Sequence, residues 1–149
     1  MSMKKKLRLD SVLLLRDKLK ELIYETQKDI VKYNNTEIKI DKTLEKLKTL
    51  QEQFIVLKEA ILEANKLKHD DGHTNNHYIF ELSNLKDDRS LYIKMNGTEP
   101  NSQLDQKELT VRLKKLSTQQ DAIRTRLQNF NTSKHVTVEL DKSLNLLNE

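Results

Sequence analysis

SVLLLRDKLKELIYETQKDIVKYNNTEIKIDKTLEKLKTLQEQFIVLKEAILEANKLK, residues 11–68, contains neither glycine nor proline, and its apolar residues recur every three or four positions. In its second half Ile40, Leu47, Leu50, Phe54, Leu57, Ile61 and Ala64 keep that spacing, with Thr43 in the one missing slot. Side chains spaced this way fall on one narrow stripe of an α-helix, and such a stripe packs against a partner helix. Ile55, Val56 and Leu62 widen it. The first half repeats the rhythm in Leu9, Val12, Leu19, Ile23, Ile30 and Tyr33, interrupted at Arg16 and Thr26.

The two halves are out of phase, and the slip falls just after Asn34-Asn35-Thr36. Asparagine and threonine compete with the backbone for hydrogen bonds and favour helix ends. Either one helix of roughly 85 Å carries a discontinuity there, or the chain bends into an antiparallel hairpin with arms of roughly 35 and 50 Å. The hairpin lets the two seams bury each other and is the preferred reading.

Outward from this span, residues 1–8 read as a basic arm carrying Lys4-Lys5-Lys6. The loop His69-Asp70-Asp71-Gly72-His73-Thr74-Asn75-Asn76-His77 stops the helix. From His77 the period changes to two: Tyr78, Phe80 and Leu82, then Leu91, Ile93 and Met95, on either side of Lys86-Asp87-Asp88-Arg89. That pattern predicts a β-hairpin over 77–97. After Pro100 a helix over 102–131 is expected, capped by Ser102 or Asp105, with a seam at Leu109, Leu113, Leu116, Gln120, Ile123, Leu127 and Phe130. The tail 132–149 alternates at Val136, Val138 and Leu140, and ends in a leucine-rich docking turn through Asn148. The predicted fold is mainly α: long antiparallel coiled-coil-like helices, a helical hairpin plus a third helix, with one small β-hairpin, in a single elongated domain over 1–149.

Composition sets the limits. The 149 residues are 36% apolar with no Trp, against about 45–50% for globular domains on a count that includes glycine. A chain this poor in apolar residues completes its core by elongation or by association. With no cysteine, disulfides and thiolate metal sites are excluded. The four-residue run Val12-Leu13-Leu14-Leu15 is too short for a signal peptide, and no segment reaches the ~18 apolar residues of a membrane span. The expected location is the cytoplasm, or a particle assembled there.

Four features could carry function. His69, His73 and His77 stand beside Asp70 and Asp71, a donor set that suits zinc or nickel; the spacing matches no zinc motif, so a solvated loop is expected, with no metal or cofactor. Asp17, Glu21, Glu25 and Asp29 make an acidic ridge that flanking lysines offset, as on a solvated face. A net charge of +4, the basic arm and Arg112, Arg124 and Arg126 permit nucleic-acid contact, although only six of the 27 basic residues are arginine, the better reader of phosphates. With two glycines there is no phosphate-cradling loop and no assembled catalytic set, so no enzyme is expected.

The order long helix, β-hairpin, long helix resembles prefoldin-type chaperone subunits, whose coiled-coil arms grip clients while their hairpins assemble the oligomer; small helical phage or assembly proteins share the pattern. The expected function is therefore a structural or assembly module that meets itself or another helical protein. Its interaction seam is read as Leu47, Leu50, Phe54, Leu57, Ile61, Leu116, Ile123, Leu127 and Phe130. A basic nucleic-acid-binding accessory protein is the alternative.

Overall fold

The computed structural model describes residues 1–147. Its elements run β1 (Ser2–Arg8), α1 (Leu9–Tyr33), α2 (Asp41–Ala64), α3 (Asn75–Lys94), α4 (Gln106–Ser133) and β2 (His135–Asp141), then a 3₁₀ turn, Lys142–Leu144. The protein is mainly helical, as expected. Its packing forms two compact units. One is Met1–Ala64 with the chain end from Asn131, and the other is Asn65–Phe130.

In the first unit the long glycine-free stretch is a helical hairpin. Thr36 closes α1, its hydroxyl donating to the Tyr33 carbonyl at 2.7 Å and its N–H to the same oxygen at 3.0 Å. The break thus falls at the phase slip, where residues prefer capping to propagation. Leu9, Val12, Leu15 and Leu19 of α1 and Leu50, Leu57, Ile61 and Ala64 of α2 are buried. Each fully buried leucine stabilises the fold by about 1.5–3 kcal/mol. Thr26, which interrupts the seam, is also buried and satisfies its hydroxyl on the Leu22 carbonyl at 2.7 Å.

The basic arm is a strand. β1 pairs antiparallel with β2, from Ser2 opposite Asp141 to Arg8 opposite His135. Met3, Lys5 and Leu7 are half-buried and alternate with exposed neighbours, so Lys5 takes an apolar slot that its aliphatic stem can fill. Reading residues 1–8 as a charged arm counted charges and overlooked this alternation. The tail reading holds: Val138 and Leu140 of β2 are buried. Beyond them Leu146 is buried, and its carbonyl accepts Lys18 Nζ at 3.2 Å. Asn148, the last residue of the expected docking turn, lies outside the described residues.

Gln53 of α2 closes the other edge of β2. It is buried, donates through Nε2 to the Glu139 carbonyl at 2.8 Å, and accepts the Asp141 N–H through Oε1 at 2.7 Å. A single carboxamide thus occupies the place of a third strand.

In the second unit the β-hairpin expected over 77–97 is instead the helix α3. The two-residue alternation of Tyr78, Phe80 and Leu82 competes with a helical spacing in the same segment: Tyr78, Leu82, Leu85 and Tyr92, with Asn75 and Asn76 in the first turn, are its less exposed positions. Lys86-Asp87-Asp88-Arg89 supplies no glycine or proline to turn two strands, and Thr74 starts a helix by accepting the His77 N–H at 3.1 Å. The arrangement that resembled prefoldin-type subunits rested on that hairpin and goes with it.

Asp105 caps α4, its Oδ1 accepting the Glu108 N–H at 2.8 Å, so the helix begins at Gln106 and not at 102. α3 and α4 run antiparallel. Arg126, late on α4, lies over the Tyr78 ring at 4.9 Å from its centroid, and Arg112, early on α4, lies over the Tyr92 ring at 5.9 Å.

Candidate functional site

The polar end of the second unit is built from the histidine loop and the last turns of α4. His69 N–H donates to the His73 carbonyl at 2.8 Å, and Gly72 N–H donates to the His69 carbonyl at 3.1 Å. Gly72 has φ of +88°, a conformation open to glycine at no steric cost. This tight turn brings the three predicted histidines together around Asn75 and Tyr78.

Asn75 is 1% exposed. Its Nδ2 donates to Asn65 Oδ1 at 2.9 Å, and its Oδ1 lies 2.8 Å from His69 Nε2. With the amide nitrogen committed to Asn65, the oxygen is the acceptor and His69 Nε2 carries the hydrogen. The His69 ring stacks on Phe130, centroids 4.7 Å apart, and meets Tyr78 edge-on at 4.8 Å. His73 and His77 stack on each other at 4.1 Å, and His77 Nε2 lies 3.3 Å from Glu81.

Asp71 ties the loop to both helices. It accepts the Tyr78 hydroxyl in a short hydrogen bond and the His73 N–H at 3.0 Å, and it stands 3.5 Å from Arg126. The His73 N–H, aided by the charge of Arg126, holds the Asp71 carboxyl below the usual carboxylate range, against a smaller opposing effect of burial. Arg126 also reaches Asp70 at 3.3 Å. The imidazoles are turned into stacking and hydrogen bonding, not toward a common point. Among the described residues no group of three His, Asp or Glu side chains is placed to hold a metal ion.

The seam residues divide between the units. Leu50, Leu57 and Ile61 are buried in the first; Leu116, Ile123 and Phe130 are buried in the second; Leu47, Phe54 and Leu127 are partly covered. The arginines flagged on α4 are each engaged within the second unit. Arg112 and Arg126 cover tyrosines, and Arg124 pairs with Asp121 at 3.3 Å. Asp17, Glu21, Glu25 and Asp29 are all exposed, as a solvated ridge requires.

The apolar surface left open lies mostly elsewhere. Phe80 is 64% exposed, and Leu91 and Ile93 are each 56% exposed, on a helix whose only buried residues are Asn75 and Tyr78. At 100° per residue Phe80 and Leu91 share one side of α3, opposite Tyr78, Leu85 and Tyr92, which turn toward α4. Sequence reasoning missed this face because it placed the segment in strands. It also passed over Asn65 and Asn75, whose pairing depends on a ten-residue loop closing. No helix among the described residues is long and apolar enough to cross a membrane. Comparison with protein-family models, curated proteins and solved structures gave no match.

Proposed function

We propose that the chain is a non-enzymatic assembly module that associates through the open side of α3 with a second copy of itself. The observation that carries this reading is the exposure of Phe80 and Leu91 on a 20-residue helix with two buried residues. Exposed apolar side chains gathered on one helix face mark an interaction site, and here Asn84 and Asp87 stand between the two apolar residues. Phe80 and Leu91 are eleven positions apart on one side, about 16 Å along the axis. In an antiparallel two-fold pairing of α3 helices, Phe80 of one copy meets Leu91 of the other, and Asn84 meets Asp87, so no like charges oppose. Two-fold pairings of one surface with itself are the commonest oligomer contacts. Action in the cytoplasm, or in a particle assembled there, belongs with this reading. Nucleic-acid binding through the arginines of α4 has less support, since their partners lie within the chain.

Sedimentation velocity from low to high micromolar concentration tests it. The expected result is a dimer that Phe80→Glu with Leu91→Glu converts to monomer without loss of helical circular dichroism. A wild-type chain that stays monomeric across that range overturns the proposal.

A further inference from the structure

Beyond assembly through α3, we infer that the outer edge of β1 docks an extended, acidic segment of another protein, which joins the sheet as a third strand. The ladder decides which backbone groups are free. Leu9 N–H donates to the Lys134 carbonyl at 2.8 Å and Lys142 N–H to the Met1 carbonyl at 3.0 Å, in the same register that pairs Leu7 with Val136. In an antiparallel pair alternate residues turn their N–H and C=O toward the neighbour, and the rest turn theirs away. Met3, Lys5 and Leu7 therefore bond to β2, while Ser2, Lys4, Lys6 and Arg8 present their backbone groups at the free edge. Among the described residues no hydrogen bond engages the backbone of Ser2, Lys4 or Lys6 beyond the ladder. The far edge of β2 is different: there Gln53 takes the matching groups of Glu139 and Asp141. β1 has no such closing side chain among the described residues.

Both faces of the strand say what the added segment carries. On the core side Met3 and Leu7 are only half-buried, whereas Val138 and Leu140 of β2 are 2% and 1% exposed. The apolar cover thins out at β1, and apolar side chains of a third strand would extend it. On the outer side Lys4 and Lys6 are exposed and have no ion-pair partner among the described residues, while Arg8 is held by Asp10. β2 shows the match from its own side. Its outward residues opposite Lys4 and Ser2 are Glu139 and Asp141, and its inward ones are Val138 and Leu140. A strand in which carboxylates alternate with apolar residues repeats that pattern on the free edge. Opposite charges across neighbouring strands stabilise the pairing and like charges oppose it. A second copy of β1 would set its lysines against Lys4 and Lys6, so those side chains exclude basic strands and admit an acidic one. In strand addition the main-chain hydrogen bonds provide affinity and the alternating side chains provide selectivity.

The test is an NMR titration of the full-length, isotope-labelled chain with a blocked peptide of alternating glutamate and valine. Three comparison probes are the same peptide N-methylated at its glutamate amides, a blocked peptide of the β1 sequence SMKKKLR, and a single-stranded oligonucleotide. Saturable shifts and slowed hydrogen exchange are expected at the Lys4 and Lys6 amides with the acidic peptide. The glutamate amides are the ones that would face β1, so their N-methylation should abolish both effects. Lys4→Gln with Lys6→Gln should weaken binding about five- to tenfold, the loss of two cross-strand charge pairs. Lys107→Gln, in the second unit, should leave it unchanged. Both β1 lysines are exposed, and circular dichroism verifies that the variant folds. The inference is overturned by the absence of saturable shifts up to millimolar peptide, by equal binding of the N-methylated peptide, or by binding that the double lysine variant leaves intact. Equal or tighter binding of the β1 peptide would make the edge a contact between copies, and binding of oligonucleotide alone would make it a nucleic-acid surface; either overturns the acidic-strand assignment. Phe80→Glu with Leu91→Glu leaves β1 untouched, so the same titration on that variant lets the docking edge and the assembly reading fail separately.

Discussion

Gln53 Oε1 accepts the backbone N–H of Asp141 at 2.7 Å while Gln53 Nε2 donates to the Glu139 carbonyl two residues earlier. The side chain thereby satisfies the edge of β2 that β1 does not reach. Gln53→Glu should be the most damaging near-isosteric change in the first unit, because it turns a carboxylate oxygen against the Glu139 carbonyl and buries a charge. A loss of about 3 kcal/mol or more is expected, comparable to breaking a buried charged pair, with Gln53→Ala nearer 1–3 kcal/mol. Chemical denaturation of the two variants against wild type measures both. If Gln53→Glu proves no worse than Gln53→Ala, the edge-closing role is wrong.

Asn75 plays the matching part in the second unit. Asn75→Ala leaves His69 Nε2 and Asn65 Oδ1 without their partner in a site 1% exposed. About 2–4 kcal/mol should be lost, from two orphaned groups at about 1–3 kcal/mol each with partial relief by water. Thr74→Ala, removing only the α3 cap, should cost about 1 kcal/mol. Denaturation midpoints should rank the two in that order.

How much of this was legible differs by element. The hairpin of α1 and α2 could be read because its seam is long and its break coincides with Asn34-Asn35-Thr36, so periodicity and capping agree. α3 could not, because Tyr78, Phe80, Leu82 and then Leu91, Ile93, Met95 satisfy a two-residue period as well as a helical one. The exposed Phe80 and Leu91 that mislead the pattern are the residues argued above to be kept for a partner. β1 was hidden by its three lysines, of which Lys5 takes an apolar slot with its stem while Lys4 and Lys6 face outward, and Gln53 and Asn75 by being polar where a core is sought. The histidine cluster was visible as a cluster; its stacking on Phe130, 61 positions downstream of His69, was not.

Removal of residues 1–8 follows from the same strand. Without β1, the ladder from Ser2–Asp141 to Arg8–His135 is lost, and Val138 and Leu140 lose their cover. Amide hydrogen exchange should show β2 unprotected, and the midpoint of unfolding should fall. Exchange protection of Val138 unchanged by the truncation would return residues 1–8 to the status of an appendage.

Acid should loosen the histidine loop before the rest. Asp71 has its pKa lowered in the folded state, first by the His73 N–H and also by Arg126. For a carboxyl lowered on folding, the unfolded state binds the proton more readily, so stability is fully present above the unfolded value near 3.9 and is lost as pH falls through the folded one. The side chain is solvent-screened, and the effect on global stability should be small. The local effect is readable: the Tyr78 ring signals should shift below about pH 4, and Asp71→Asn should show that altered environment at neutral pH. A Tyr78 signal insensitive to both changes would remove Asp71 as the tie between loop and helices.

The two glycines separate two kinds of constraint. At Gly72 an added Cβ meets nothing within 4 Å, and only the positive φ of +88° opposes a side chain. Gly72→Ala should therefore cost about 1–2 kcal/mol, the strain of a left-handed residue, and Gly72→Asn less, since asparagine tolerates that region better. At Gly97, buried ahead of α4, a Cβ would stand 2.4 Å from the Gln106 nitrogen and 2.6 Å from the Asp105 carbonyl carbon. Both are backbone atoms in the first turn of a helix, and no rotamer change relieves them. Gly97→Ala must push the 95–105 connection away from the start of α4, disturbing the Asp105 cap and the burial of Leu109. A loss above that of Gly72→Ala is expected, in the range of about 2–4 kcal/mol reached by overpacking combined with a lost cap, and Gly97→Asn should rescue nothing. Denaturation of the four variants would decide it, and equal costs for alanine at 72 and 97 would show that the connection yields where the close approach says it cannot.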